Sequence, residues 1–362
     1  MNVAVIGSGV GGARVARDLA LGGCKVNLFD MKPTIGRPIA CTGIVSKNFA
    51  KHVDFLDDIL VNTVDGAEFY SANEQFELKT GKTQAYVVQR DELDVKLFQE
   101  AQDAGVACHM KHRFMSNDSN SVTVEHNGTM KRFDADIVIG ADGPLSSVAK
   151  ANELWQGRTF LHGIQYRITG KFDKSFVSLF LGSVCPGFFA WVVPESAKTA
   201  RVGVAARSGA KEHYRAFEDR LRKQFSVTQL EVQSGLIPEY KKIKLQSKNV
   251  YLLGDAGLQV KNTTGGGIVM SLRAAELLSK SILEGKNYEK LINKNLTKEL
   301  FYHRLIRKMF NKFDDKKYDL LLRIMNRERN RNVLAEYGDM DYPSKFLMRL
   351  VLREPRFLRL LF

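Results

Sequence analysis

Cysteine is scarce in this chain: four among 362 residues, at positions 24, 41, 108 and 185. Four thiols cannot build a dense disulfide framework, and intervals of 17, 67 and 77 residues match no zinc-ligand spacing. No uninterrupted run of about 18 apolar residues occurs, so no segment reads as a membrane span. A secretory signal is also missing. Gly7, Gly9, Gly11 and Gly12, then Arg14, Arg17 and Asp18, break up the apolar N-terminus. These absences point to a cytoplasmic chain with reduced thiols. The 29 glycines follow no three-residue period, which excludes collagen, and 44% hydrophobic residues are too many for a disordered chain. The length exceeds what a single core supports, so two lobes interleaved in sequence are expected.

Charge of one sign predominates. The net charge is +14, and Glu289 to Phe362 holds 18 Lys and Arg against 10 Asp and Glu, a surplus of eight. More than half of the excess therefore lies in the last fifth of the chain, which suits an anionic partner. No zinc finger, helix-turn-helix or aromatic RNA-binding pattern accompanies it, so nucleic acid is not the expected partner.

Asn2 to Ile6 read as a short buried strand, followed by Gly7-Ser8-Gly9-Val10-Gly11-Gly12, a helix to Leu21 and a second strand from Lys25 to Asp30. This is the strand, turn, helix, strand context that gives G-x-G-x-x-G meaning. Gly7 permits the tight turn, Gly9 lets backbone approach a pyrophosphate, and Gly12 lets the helix pack against the strand. The helix N-terminus meets the negative charge. Asp30 lies 18 residues after Gly12, where a carboxylate accepts from an unphosphorylated ribose. The motif alone leaves FAD and NAD open. Further on, Asn127-Gly128 predicts a hairpin, Arg90 to Ala104 has helical period, and residues 160–207 are rich in strands.

Two later stretches join the fingerprint in order: Ile137-Val138-Ile139-Gly140-Ala141-Asp142-Gly143 and Val250-Tyr251-Leu252-Leu253-Gly254-Asp255-Ala256-Gly257. Together the three resemble the signatures of the p-hydroxybenzoate-hydroxylase-like FAD flavoproteins. The resemblance implies that Asp255 binds the ribityl chain and Arg90 lies by the pyrophosphate. It also implies that Gly265, Gly266, Gly267 and Ile268 set a helix N-terminus near the flavin ring. Within that superfamily, Gly36-Arg37-Pro38-Ile39-Ala40-Cys41-Thr42-Gly43 is similar to a loop of the geranylgeranyl reductases. There a cysteine and a glycine sit beside the flavin. Arg37, Cys41, Thr42 and Gly43 are candidates on that basis, with Cys41 ordering the site or supplying a proton. Its plain alternative is a small buried hydrophobe.

Pro186-Gly187-Phe188-Phe189-Ala190-Trp191-Val192-Val193-Pro194 resembles the reductases' substrate motif P-x-x-Y-x-W-x-F-P, with Phe189 for tyrosine and Val193 for phenylalanine. It is also faintly similar to W-x-W-x-I-P of flavin halogenases. Aromatics at period two read equally as strand packing. The resemblance implies an FAD-dependent reductase that saturates C=C bonds of geranylgeranyl chains on isoprenoid membrane lipids. A hydroxylase or halogenase is the alternative. Pro186, Phe188, Phe189, Trp191 and Pro194 would line an apolar tunnel. NAD(P)H, ferredoxin or reduced deazaflavin all remain open as electron donor, and ferredoxin would bring an electron-donor protein into play.

The expected fold is α/β. A discontinuous Rossmann-type FAD-binding domain occupies 1–55, 90–155 and 248–285, and a mainly antiparallel catalytic domain 56–89 and 156–247. A helical basic region covers 286–362. Its last stretch interleaves Phe346, Leu347, Leu350, Val351, Phe357, Leu358, Leu361 and Phe362 with Lys345, Arg349, Arg353, Arg356 and Arg359. That pattern suits peripheral attachment to an anionic membrane, with a kink at Pro355, or a solvated capping helix.

Overall fold

The computed structural model describes residues 1–39, 41–222, 228–354 and 356–357. The expectations attached to Ala40, Pro355, Leu358, Arg359, Leu361 and Phe362 lie outside them. The chain divides into two compact units, each assembled from three segments.

The first unit comprises Met1–Pro38, Arg90–Thr159 and Ile237–Phe301. Its main sheet has six strands in the order Gln246–Ser247, Val250–Leu252, Ile137–Gly140, Asn2–Ile6, Lys25–Asp30, Ala107–Met110. All neighbours run parallel except the short Gln246–Ser247 edge. Val3, Ala4, Val5, Val138 and Ile139 are fully buried, as continuous apolar runs should be in a sheet covered on both faces. The helices Val10–Leu21 and Ile268–Leu283 pack together. Gly11 makes this close approach possible, since a Cβ there would lie 3.3 Å from Leu253 and 3.4 Å from Ser271. The expected hairpin is present: Ser121–His126 pairs with Thr129–Asp134 through Asn127 and Gly128, both at positive φ.

The second unit comprises Ile39–Gln89, Phe160–Leu236 and Tyr302–Phe362. Its seven-stranded sheet runs Thr228–Pro238, Phe160–Thr169, Thr199–Ala206, Ala190–Pro194, Phe176–Phe180, Gly66–Tyr70, Gln75–Lys79. From Phe160–Thr169 to Gln75–Lys79 the pairings are antiparallel apart from Phe176–Phe180 with Gly66–Tyr70. A smaller sheet pairs Ile44–Ser46 and Leu60–Val64 with Ala85–Val88.

The division departs from the sequence expectation at several boundaries: residues 156–159 and 237–247, expected in the catalytic domain, fall in the first unit. Residues 39–55 fall in the second unit because Ile44–Ser46 is hydrogen-bonded to Ala85–Val87. The basic tail is not a third body: 286–301 belong to the first unit and 302–362 to the second. In the latter, Leu322, Val333, Leu334 and Leu350 share a core with Phe76 of the sheet edge. No helix among the described residues is long and apolar enough to cross a membrane.

Candidate cofactor and substrate sites

In the first unit the strand Asn2–Ile6 delivers Gly7 at φ +100°, and a Cβ there would run into the Ala141 carbonyl. A Cβ on Gly12 would overlap the Gly7 carbonyl oxygen, so the helix can begin this close only with glycine. Gly9 caps the helix without a side-chain hydrogen bond, and the first turn, Val10 to Ala13, holds no acidic residue. A Cβ on Gly9 would meet nothing within 4 Å. Gly9 is exposed, so the positive end of the helix is approachable at this residue.

Asp30 ends the neighbouring strand and is 9% exposed. One carboxylate oxygen accepts from Ser8 N at 2.8 Å and Ser8 Oγ at 2.6 Å; the other accepts from Lys32 N at 2.9 Å. Three of about four acceptor positions are thus used in holding the glycine turn, which leaves room for a single further donor.

The middle and late turns are tied by a residue that the motifs do not contain. Arg158 stacks on Trp155 with its guanidinium 4.3 Å from the ring centroid. It donates to Ala256 O at 2.8 Å, Pro144 O at 3.3 Å and Asp255 O at 3.5 Å. Asp142 accepts from Ser147 N at 2.7 Å and Val148 N at 3.1 Å, and Gly143 turns at φ +79°. Burial raises the Asp142 carboxyl above its ordinary range against these hydrogen bonds.

Gly254 turns at φ +63°, and its N–H donates to Gln259 Oε1 at 2.7 Å. Gln259 donates in turn to Tyr288 Oη at 3.0 Å, which fixes the turn from behind. The Asp255 carboxyl is pushed up to about 6 by burial, with the Arg90 charge opposing. Arg90 opens the helix Arg90–Asp103 and pairs with Asp94 at 2.6 Å. Arg37 pairs with Asp91 of the same helix at 2.8 Å. Gly265 turns at φ +68°, and Gly267 caps Ile268–Leu283 with no side-chain bond and no acid in the first turn. Asp255 Oδ1 would be 3.2 Å from a Cβ on Gly267. Two open helix N-termini, an unobstructed glycine turn and two carboxylates at strand ends fit FAD.

In the second unit Gly43 N donates to Cys41 Sγ at 3.4 Å. Thr42 Oγ1 donates to Gln165 Oε1 at 2.7 Å. Gly43 turns at φ +70°, and a Cβ there would lie 2.5 Å from Arg201 Nη1 and 2.6 Å from Val88 O. Arg201 holds this loop by donating to Thr42 O at 2.6 Å and Val88 O at 3.1 Å. Its charge is balanced by Glu195 at 2.8 Å, which also takes Arg167 at 2.6 Å. Burial pushes the Glu195 carboxyl up, but the two guanidiniums outweigh it and hold the group below its ordinary value. Gln165 continues the network to Gln233 at 2.5 Å.

The aromatic stretch lies beside this network. Trp191 is in register with Gly203, and Gly203 with Gln165. The absent side chain at Gly203 accommodates the indole, whose Cζ2 would be 2.5 Å from a Cβ. Trp191 Nε1 is buried without a hydrogen-bond partner among the described residues. Phe189 meets Trp191 edge-on at 6.0 Å and stacks on Phe188 at 4.1 Å. Phe188 is 1% exposed and covered by Arg307 at 4.5 Å, so it is packed in the core. Pro186 is exposed, and Pro194 ends its strand with its carbonyl accepting from Asn62 at 3.0 Å. A cavity of about 230 Å³ in this unit is lined by Glu68, Tyr70, Glu77, Asn326 and Arg331 among others. It is polar and does not touch the aromatic stretch.

Arg158, Gln259, Arg201, Glu195 and Gln165 were not singled out from the sequence. The one available signal was local: Trp155 three residues before Arg158, a spacing that permits stacking.

Residues 1–287 match the family described as FAD binding domain. A digeranylgeranylglycerophospholipid reductase of Methanococcus aeolicus is 28% identical, over 99% of this chain and 96% of its own. Digeranylgeranylglycerophospholipid reductase 3 of Methanosphaera stadtmanae is 30% identical, over 76% of this chain and 75% of its own. The crystal structure of a geranylgeranyl bacteriochlorophyll reductase-like protein from Thermoplasma acidophilum superimposes with a TM-score of 0.85 at 22% identity, covering 99% of this chain and 97% of that one. That likeness establishes the shared fold. The chain belongs to the FAD-binding-domain family and, within it, to the digeranylgeranylglycerophospholipid reductases.

Proposed function

We propose that this protein is an FAD-dependent reductase that saturates C=C bonds of geranylgeranyl chains on isoprenoid membrane lipids. The observation that supports this most is the full-length match to reductases by a chain whose glycine turns leave a pyrophosphate site open. Bound and reduced, FAD supplies the hydride that an unpolarised alkene requires. The chain does the rest. The helix Val10–Leu21 receives the pyrophosphate, Asp255 accepts from the ribityl chain, and the helix Ile268–Leu283 directs its positive end at the ring. Phe189 and Trp191 offer the prenyl chain an apolar wall. Cys41, half-buried in a loop fixed by Arg201, is the candidate proton donor to the second alkene carbon. Electrons come from NAD(P)H, a ferredoxin or reduced deazaflavin.

Oxygen dependence separates this reading from a hydroxylase or halogenase. Dithionite-reduced protein, freed of excess dithionite and mixed anaerobically with a geranylgeranyl lipid, should regain the oxidised flavin spectrum. A spectrum that returns only when oxygen is admitted would favour the alternative.

The lipid substrate brings the C-terminal helix Ser344–Arg353 into the reading. Phe346 and Leu350 pack inward against the core around Phe76 and Val333. On the outside, Met348 is 67% and Leu352 75% exposed, with Val351, Lys345, Arg349 and Arg353 around them. Protruding apolar side chains ringed by cations suit an anionic phospholipid surface.

A further inference from the structure

The main sheet sets the spacing between the middle and late glycine turns only as far as its strands are paired. Ile137–Gly140 and Val250–Leu252 run side by side in parallel, and the last backbone bond between them goes from Leu253 N to Gly140 O at 2.9 Å. Beyond it both segments leave the sheet, one into Ala141-Asp142-Gly143-Pro144 and the other into Gly254-Asp255-Ala256-Gly257. Among the described residues no backbone hydrogen bond joins these two turns. Ligands of a parallel sheet settle in this place, outside the carboxyl ends of the strands.

One guanidinium spans the gap. Arg158 Nη1 donates to Pro144 O at 3.3 Å and to Asp255 O at 3.5 Å, and Nη2 donates to Ala256 O at 2.8 Å. All three bonds end on the turns and none on the strands behind them. The guanidinium rests on the Trp155 ring, 4.3 Å from its centroid, and Lys150 lies 4.7 Å from the same ring. Trp155 and Arg158 are both half-buried. Stacking holds the guanidinium in place, and its rigid fork of N–H donors then holds the carbonyls. The bond to Asp255 O acts on the backbone that carries the carboxylate proposed above to accept from the ribityl chain.

We infer that Arg158 is a positioning residue for the cofactor: it fixes the middle and late turns relative to each other and thereby sets the affinity for FAD. This rests on the FAD reading above. It assigns to a residue outside the glycine motifs a role that the motifs themselves do not fill. A clamp already in place before binding removes the entropic penalty of ordering two turns around the ligand. Lysine is no substitute, because an ammonium is a point charge and lacks the planar fork that reaches carbonyls of both turns.

The test is the FAD affinity of full-length wild-type, Arg158→Ala and Arg158→Lys protein, read by fluorescence titration, with the melting temperature of each apo form measured alongside. Arg158→Ala should bind FAD about tenfold more weakly. Guanidinium ion at roughly 20 mM, too dilute to unfold the chain, should recover most of that loss, and methylammonium should not. Recovery by a small planar ion separates positioning from damage to the fold. Arg158→Lys should be as weak as Arg158→Ala at an unchanged melting temperature, and it serves should Arg158→Ala fail to fold. Wild-type affinity in either variant, or a loss that guanidinium leaves untouched, overturns the inference and leaves the FAD reading standing. Failure of both variants to fold does the same. Wild-type protein that takes up no FAD overturns both.

Discussion

Asp255, proposed above to hold the ribityl chain, shows how burial tunes a single carboxylate. Its place at the end of a buried strand pushes its pKa up to about 6, and Arg90 only partly offsets the burial. A carboxyl group accepts from a ribityl hydroxyl most strongly when it is ionised. FAD affinity should therefore strengthen as pH rises through about 6 and level off above it. The sign follows because the apo protein holds a proton that the FAD complex must release. Asp255→Ala should weaken FAD binding by about 1–3 kcal/mol, roughly 5- to 150-fold in Kd, and flatten the pH dependence. Fluorescence titration of FAD at a series of pH values reads both. At this scale the sequence was informative wherever a glycine served the backbone locally, as at Gly7 and Gly12. It was uninformative about Arg158 and Arg201, because their partners come from distant segments. Asp30 lies between these cases: its position was legible, but its engagement with Ser8 was not.

At the scale of elements, two helices carry the cofactor argument and one carries the membrane argument. Val10–Leu21 and Ile268–Leu283 both start at a glycine with no capping side chain and no first-turn acid, which natural helices usually supply. Those omissions leave two positive helix ends free for anionic groups. The C-terminal helix is amphipathic twice over, with Leu350 buried and Leu352 exposed. Replacing Met348 and Leu352 with Glu should abolish sedimentation with vesicles containing phosphatidylserine or phosphatidylglycerol while leaving the flavin spectrum intact. Wild-type binding should fall with rising salt. Equal binding by the double variant would remove the helix from the account. The periodicity of this helix was readable from sequence; which apolar residues point inward was not, because that depends on the sheet edge at Phe76.

At the scale of the whole molecule, three segments interleave in each of two units, an arrangement that sequence suggested through the wide separation of the glycine signatures. The strand–helix–strand start from Asn2 to Asp30 and the hairpin at Asn127-Gly128 were legible because buried runs and turn chemistry are local signals. The allocation of 39–55 and of the basic tail was not, since pairing between Ile44–Ser46 and Ala85–Val87 and packing of Leu350 on Phe76 are long-range events.

The central claim is that FAD held at the three glycine turns reduces prenyl double bonds. Mass spectrometry of a geranylgeranyl glycerophospholipid, incubated without oxygen with FAD-loaded protein and dithionite, tests it most directly. The account predicts lipid heavier by one hydrogen pair for each bond saturated, and unchanged lipid with Asp255→Ala protein that has lost its FAD. Unchanged lipid with fully loaded wild-type protein, or a product that gains oxygen or halogen only in air, would contradict it.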